Sequence, residues 1–357
     1  MHYPAVLLLL LPGGVEAFRI CAFNAQRLTL AKAAREHVMD TLVRILVRCD
    51  IMVLQEVVDS SGSAMSLLLR ELNRFDESGS YTLLSSPSLG RSTYMEKYVY
   101  VYRSHKTQVL DSYVYNDEDD LFAREPFVAR FTFPSKVLPS LVLVPLHTSP
   151  KAVEKELNAL YDVFLDVSKH WQSKDMILLG DFNADCASLT KKRIGELVLR
   201  TQEGFHWVIP DGEDTTVRAS THCAYDRIVL HGERCQSLLR SAAAFDFPGS
   251  FGLTEEEVKG ETGTASQGSA SALALTLCLA ARPPGPQRQR PLPCGSGAEP
   301  GGTQGPASRP GRRSVAAAAA ASLTGPAAYR REDGAAFRTQ ILVSAICSGT
   351  ALGSRDS

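Results

Sequence analysis

Two stretches constrain the fold more than any others: "DIMVLQEV" from Asp50 and "DMILLGDFNAD" from Asp175. Each is an uninterrupted apolar run of strand length that finishes in polar residues. Such a run reads as a strand buried on both faces, inside a sheet that is covered on each side. The covers are also in the sequence. "LAKAAREHVMDTLVRILVRC" places Val38, Leu42, Ile45 and Leu46 at helical spacing with a charged opposite face. "GSAMSLLLRELNRF" and "AVEKELNALYDVFLDVSKHW" read as further amphipathic helices. Between them lie "YTLLSS", "YVYVYR", "VLDSYVYN", "FVARFTF" and "SLVLVPLHT", short strands broken by turn residues. This pattern predicts an α/β protein of two sheets packed face to face with helices outside.

The two ends differ from this body. "MHYPAVLLLLLPGGVEAF" has an apolar run, Ala5–Leu11, far below the roughly 20 residues a membrane span needs. Small residues at Val15 and Ala17 suit cleavage before Phe18, so residues 1–17 are expected to be a signal peptide. Beyond Glu257 the acids are few and the arginines frequent, with Pro, Gly and Ser and no periodicity. Ordering costs about 1–2 kcal/mol per residue, which that composition does not offset. Residues 258–357 are therefore expected to be a disordered tail, and residues 18–257 the folded domain. "SALALTLCLAA" is the tail's one apolar stretch and is too short to span a bilayer.

Passage through a secretory compartment permits disulfides. Cys186 and Cys223 are the pair expected to join, each just past a run of polar site residues. Cys21 and Cys49 lie on apolar patterns and read as buried thiols. Cys235 stays open, and Cys278, Cys294 and Cys347 have no evident partners. No spacing resembles a zinc site.

Four strand-like runs end in polar groups: Asn24 in "CAFNAQ", Glu56 in "VLQEV", His147 in "VPLHTSP", and Asp181 with Asn183 in "LLGDFNAD". Read alone, each has a plainer account as a turn, a cap or a satisfied core histidine. Together they suggest a site on one sheet rim. Glu56 and Asp181 offer hard oxygens to Mg²⁺, Asn24 and Asn183 offer donors to phosphate oxygens, and His147 moves a proton near neutral pH. That set suits hydrolysis of a phosphodiester, where negative charge develops on phosphorus oxygens.

"QEV", "YMEKYVYVYR", "AREPFVARF", "LVPLHTSP", "GDFNADC" and "THCAYDRIV", in that order, resemble the deoxyribonuclease I family from Phe18 to Glu257. The resemblance implies a four-layered α/β sandwich, two central mixed sheets flanked by helices. It implies a monomeric endonuclease of the secretory pathway, secreted or in the endoplasmic reticulum, that cleaves DNA with Mg²⁺ and is helped by Ca²⁺. By the same resemblance Glu96 pairs with the catalytic His147. Glu56 and Asp181 take metal positions, and Asn24, Asn183, Tyr94, Arg124 and Tyr225 take phosphate or DNA positions. Asp226 becomes a catalytic carboxylate, and Cys186–Cys223 matches the family's bridge. From sequence alone Tyr94 reads rather as a strand-face aromatic.

The chain departs from the family pattern in three places. The family arginine shortly after the "QEV" glutamate is replaced by Val57 and Val58. "DTTVRAST" is one residue longer, which leaves a Ca²⁺ role for Asp214 and Thr216 open. The match stops at "LTEEE", before the family's closing strand with Ser-Asp-His, and no histidine follows His231. The expected domain thus lacks its last strand, and Asp226 lacks the histidine it would orient. The competing reading is a catalytically inactive relative that binds DNA or protein, or misfolds.

Overall fold

A computed structural model of the chain describes residues 17–262 and 272–278, with side chains over residues 17–258. The expected signal peptide lies outside the described residues except for Ala17, as do residues 279–357 of the expected tail. The chain runs β1 (Ala17–Leu28), α1 (Leu30–Ala33), α2 (Glu36–Leu46), β2 (Ile51–Val57), α3 (Ser63–Phe75), β3 (Tyr81–Ser85), β4 (Lys97–Arg103), β5 (Val109–Val114), β6 (Phe127–Thr132) and β7 (Ser140–Pro145). It continues through α4 (Val153–Trp171), β8 (Met176–Asp181), α5 (Lys191–Glu196), α6 (Val198–Thr201), β9 (Phe205–Trp207) and β10 (Asp226–His231). It closes with α7 (Glu233–Leu238), β11 (Leu239–Phe245), α8 (Phe247–Phe251), α9 (Glu255–Thr262) and β12 (Ala272–Cys278).

The strands form two six-stranded sheets, ordered β11-β12-β1-β2-β4-β3 and β5-β6-β7-β8-β10-β9. Both have the same pairing pattern. One parallel pair sits at the centre, β1 with β2 and β7 with β8, and every other named pairing is antiparallel. Alternation along each strand sorts side chains into layers. Ile20, Val53 and Tyr100 of the first sheet meet Phe131, Leu143, Ile177 and Ile228 of the second in one core. Leu54 and Val99 pack outward on Leu42, Ile45 and Leu68 of α2 and α3. Val144 and Leu178 pack outward on Leu157, Leu160 and Phe164 of α4. These three cores make four layers, and β2 and β8 are buried along their whole length, as their composition implies.

Three expectations are corrected. The helix read from Leu30 to Cys49 breaks into α1 and α2. Thr29 caps α1 by accepting the Lys32 N–H at 3.2 Å. Lys32 then turns its ammonium back to the Ala25 and Gln26 carbonyls of β1, at 2.9 and 2.8 Å. Cys21 and Cys49 are not separate thiols: they form a disulfide with a Cα–Cα distance of 6.2 Å, because Cys49 lies two residues before the start of β2, the parallel neighbour of β1. The expected Cys186–Cys223 bridge is present, and Cys235 is a buried free thiol whose pKa burial pushes up to about 12.

The third correction concerns the tail. The ordered chain does not stop at Glu257. Helix α9 runs across that point to Thr262, and Val258 is buried in the core beneath α2 and α3. The first sheet does not lack its last strand. The β12 strand, "ALALTLC", lies between β1 and β11, with Ala17–Phe23 opposite Cys278–Ala272 and Phe245–Leu239 opposite Ala272–Leu277. The run alternates Leu with small or polar residues at strict period two, which is strand periodicity that the Pro- and Gly-rich surroundings obscured. A slot between two strands offers ladder hydrogen bonds on both sides, so a short run suffices.

Ending the chain after Thr262 removes β12 and exposes the facing edges of β1 and β11, so that protein should aggregate, whereas a chain ended after Ala280 should remain soluble and folded. Size-exclusion chromatography separates the two outcomes. Peptide mapping without reduction should recover Cys21–Cys49 and Cys186–Cys223. Each bridge should contribute about 3–4 kcal/mol for loops of this length on the chain-entropy model.

Candidate active site

Period two also decides which polar side chains meet. Phe18, Ile20 and Ala22 of β1 face the space between the sheets, and Asn24 continues that face. Ile177 and Leu179 do so on β8, which carries Asp181 inward. Leu141 and Leu143 set the face of β7 that His147 prolongs. Tyr98, Tyr100 and Tyr102 set the face of β4 that Glu96 shares, and Ile228 and Leu230 set that of Asp226. Glu56 breaks the rule, since Met52 and Leu54 face the helices. A bulge re-aims it: the register with β4 shifts between Leu54 and Val57, and the Glu56 φ is 55°. Left-handed backbone at a non-glycine residue costs about 1–3 kcal/mol and persists where surrounding contacts fix it.

The result is a buried cluster at the C-terminal ends of both parallel pairs. The Asn24 side-chain amide donates to Glu56 Oε1 at 2.9 Å and to Asp181 Oδ2 at 3.0 Å. The same two oxygens face His147 Nε2 at 3.8 and 3.9 Å. His147 Nδ1 is 2.7 Å from Glu96 Oε1. Two further contacts fix its backbone. Its N–H donates to the Tyr98 hydroxyl at 2.9 Å, and its carbonyl accepts from Arg124 Nε and Nη2 at 3.0 and 2.8 Å. Asn183, at φ 47°, donates to the Thr148 carbonyl at 3.2 Å. Tyr94 reaches Glu56 Oε2 with a long hydrogen bond of 3.4 Å.

Charge follows from these contacts. Burial disfavours the His147 imidazolium and Arg124 repels it. The charge and hydrogen bond of Glu96, with Asp181 beyond, outweigh both and hold its pKa above the ordinary value. Burial alone would raise Glu96, but His147 and Arg124 keep it below the usual carboxylate range. Burial, then the charges of Glu56 and Glu96, drive the Tyr94 phenol upward, so it remains a donor.

Every sequence-derived site residue is accounted for, in two groups. Asn24, Glu56, Glu96, His147, Asp181 and Asn183 converge, and Tyr94 covers them. Asp226 lies directly opposite Asp181 on the neighbouring strand, and its N–H donates to Thr215 Oγ1 at 3.1 Å. Tyr225 precedes it and accepts the Phe182 N–H at 3.0 Å. Arg124 is turned inward, 3.4 Å from Glu96, so its guanidinium supports His147 from behind. Asp214 accepts from Thr216 and lies 2.7 Å from His222 Nδ1, so its carboxylate is engaged within its own loop.

Sequence reasoning missed three members. Gln55 donates to the Leu146 carbonyl at 2.8 Å and accepts the Asp181 N–H at 2.9 Å, which ties the two sheets together beside the site. The parity of Ile51, Val53 and Gln55 is the signal that points to it. Tyr98 was legible by the same parity. Glu156, buried on α4, accepts the Ser149 N–H at 2.9 Å and steadies the loop after His147; nothing in its sequence context marks it.

Glu56 and Asp181 bring two hard anionic oxygens to one amide, a donor set that suits a magnesium-type ion. Such ions are held by one or two carboxylates and keep waters and phosphate oxygens. Among the described residues no group of three or more acidic, His or Cys side chains is arranged to cage a metal.

A family model described as the Endonuclease/Exonuclease/phosphatase family matches residues 21–246. The chain is 83% identical to Deoxyribonuclease-1-like 1 of Homo sapiens over 259 residues, 72% of this chain and 86% of that protein. It is 41% identical to Deoxyribonuclease gamma of Homo sapiens over 262 residues, 71% of this chain and 86% of that one. The solved endonuclease/exonuclease/phosphatase from Bacteroides vulgatus matches at a TM-score of 0.50, with 15% identity over 74% of this chain and 100% of that chain. At that identity the likeness is one of fold.

Gly180 has φ 133°, and a Cβ there would lie 2.3 Å from Gln55 Nε2 and 2.6 Å from the Leu146 carbonyl. Gly180→Ala should therefore break the inter-sheet bridge and cost about 1–3 kcal/mol. Thermal melting should show the loss, and a melting temperature equal to the parent's would contradict the placement.

Proposed function

The chain belongs to the endonuclease/exonuclease/phosphatase family, in its deoxyribonuclease branch, and we propose that its substrate is DNA and its chemistry the divalent-metal-dependent hydrolysis of phosphodiester bonds. The observation that carries this reading is the convergence of the Glu96–His147 pair on the Glu56–Asp181 carboxylates. Glu96 at Nδ1 leaves Nε2 facing the carboxylates, where it takes or gives a proton at an oxygen on phosphorus. Tyr98 and Arg124 hold the backbone on either side of that imidazole, so the ring is mounted before substrate arrives. Asn24 keeps the two carboxylates together, and the remaining Asn183 amide hydrogen is available to a phosphate oxygen. Glu56 and Asp181 would hold Mg²⁺, which when bound supplies Lewis-acid stabilisation of charge on the phosphoryl oxygens. Ca²⁺ as a second ion follows the family resemblance.

A second reading has its own observation. The β12 strand enters beside the site, with Ala272 opposite Phe23, the residue before Asn24. The sequence "ALALTLC" and everything after His231 contain no histidine. Asp226 stands opposite Asp181, and by the family resemblance the last strand would bring a histidine to that carboxylate. We therefore take the chain to be at most a weak nuclease with one acid–base half of its site. The two disulfides and the leader-like N-terminus support a secretory location, in the endoplasmic reticulum or outside the cell. No described helix is long and apolar enough to cross a membrane.

Plasmid nicking with Mg²⁺ and Ca²⁺ tests both readings. The chain as given is compared with one in which Ala272–Cys278 is replaced by a strand carrying Ser-Asp-His. Loss of one acid–base group costs about 10²–10⁴ in rate, so robust nicking is expected only from the second protein. His147→Ala or Glu96→Ala should abolish it there. Comparable nicking by both would mean the site works without a second histidine. No nicking by either, with both folded, would remove DNA hydrolysis as the function.

A further inference from the structure

The site that is to receive a polyanion has an acidic floor. Glu56, Glu96, Asp181 and Asp226 are all buried there, and the Arg124 guanidinium is spent on the His147 carbonyl and Glu96. The end of β2 adds no cation, since Val57 and Val58 follow Glu56. A cation comes instead from β1. Its register with β2 shifts between Asn24 and Leu28, and the bulge holds two consecutive left-handed residues, Gln26 at φ 45° and Arg27 at φ 60°. The bulge is fixed from both sides. Asn24 Oδ1 accepts the Gln26 N–H at 2.8 Å, and Lys32 Nζ donates to the Ala25 and Gln26 carbonyls at 2.9 and 2.8 Å. The amide that gathers the carboxylates thus also holds the turn that presents Arg27.

Arg27 is exposed, and its guanidinium lies 5.6 Å from the centre of the Tyr94 ring. Its contact is the face of an aromatic ring and not a carboxylate; among the described residues none is within ion-pair distance of it. Tyr94 in turn points its hydroxyl at Glu56. A guanidinium seated on a ring keeps its in-plane donors open, the geometry that suits bidentate contact with phosphate.

We propose that Arg27, seated on Tyr94, binds a backbone phosphate of DNA at the mouth of this site and so positions the strand over the Glu56–Asp181 carboxylates. The assignment rests on the DNA reading above. It makes Arg27 a positioning residue, supplied by β1 in a chain where Val57 and Val58, not an arginine, directly follow the "QEV" glutamate.

The test measures binding, so it does not depend on turnover. Fluorescence anisotropy of a labelled duplex oligonucleotide in EDTA is followed from 50 to 200 mM salt for the full chain. One phosphate contact to B-DNA contributes about 0.9 to the slope of log K against log salt, or about 3.5-fold in affinity over that range. Arg27→Ala should lower affinity and reduce the slope by about 0.9, so that its deficit against the parent shrinks about 3.5-fold from 50 to 200 mM salt, and Arg27→Lys should keep the slope. Arg74→Ala, which removes an exposed arginine at the end of α3, should change neither. Tyr94→Leu should weaken binding with the slope retained. If the parent binds and Arg27→Ala binds with the same slope, the assignment of Arg27 is wrong and the DNA reading stands. If the parent does not bind duplex at any salt, the DNA reading fails and takes this assignment with it.

Discussion

The Gln55 side chain is the contact on which the rest of the site depends. One buried amide donates to the Leu146 carbonyl and accepts from the Asp181 N–H, which locks the parallel pair of one sheet against that of the other. A buried amide left unpaired costs about 1–3 kcal/mol, so the two sheets hold one register at this point. Gly180 makes the approach possible, because any Cβ there would collide with the amide. Once β2 and β8 are held this way, Glu56 and Asp181 fall within reach of a single Asn24 amide, and His147 falls between them and Glu96.

The last strand separates what folding requires from what catalysis requires. A sheet slot flanked by β1 and β11 asks for backbone donors and acceptors and an alternating pattern, and "ALALTLC" meets that demand. Chemistry asks for particular side chains at particular register positions, and Ala and Leu cannot move protons. The sheet is therefore completed by a strand that carries no histidine.

Much of this was legible in the residues. Continuous apolar runs ending in Glu56 and Asp181 disclosed doubly covered strands, and the amphipathic runs disclosed the covering helices. Asn24, Glu56, His147, Asp181 and Asn183 could be collected from the polar ends of apolar runs, whereas Glu96, Tyr94, Arg124, Tyr225 and Asp226 came only through the family resemblance. Glu56 was found at the end of such a run, although it faces the site only because of a bulge, which leaves no alternation to read. The misses have physical causes. Gln55 was passed over because an amide next to a glutamate carries no charge. The Cys21–Cys49 bridge depends on β1 and β2 being neighbours, which is a tertiary fact. The β12 strand was hidden because the composition around it is that of a segment too polar and glycine-rich to fold alone, and its stability comes from the slot it fills.

Amide hydrogen exchange on the intact chain tests this account most directly. If the tail-derived strand completes the first sheet, the amides of Ala272–Cys278 that face β1 and β11 will exchange as slowly as those of Ala17–Phe23 opposite them. Exchange of the Ala272–Cys278 amides at the rate of an unstructured peptide, with β1 protected, would contradict it. The first sheet would then end at β1.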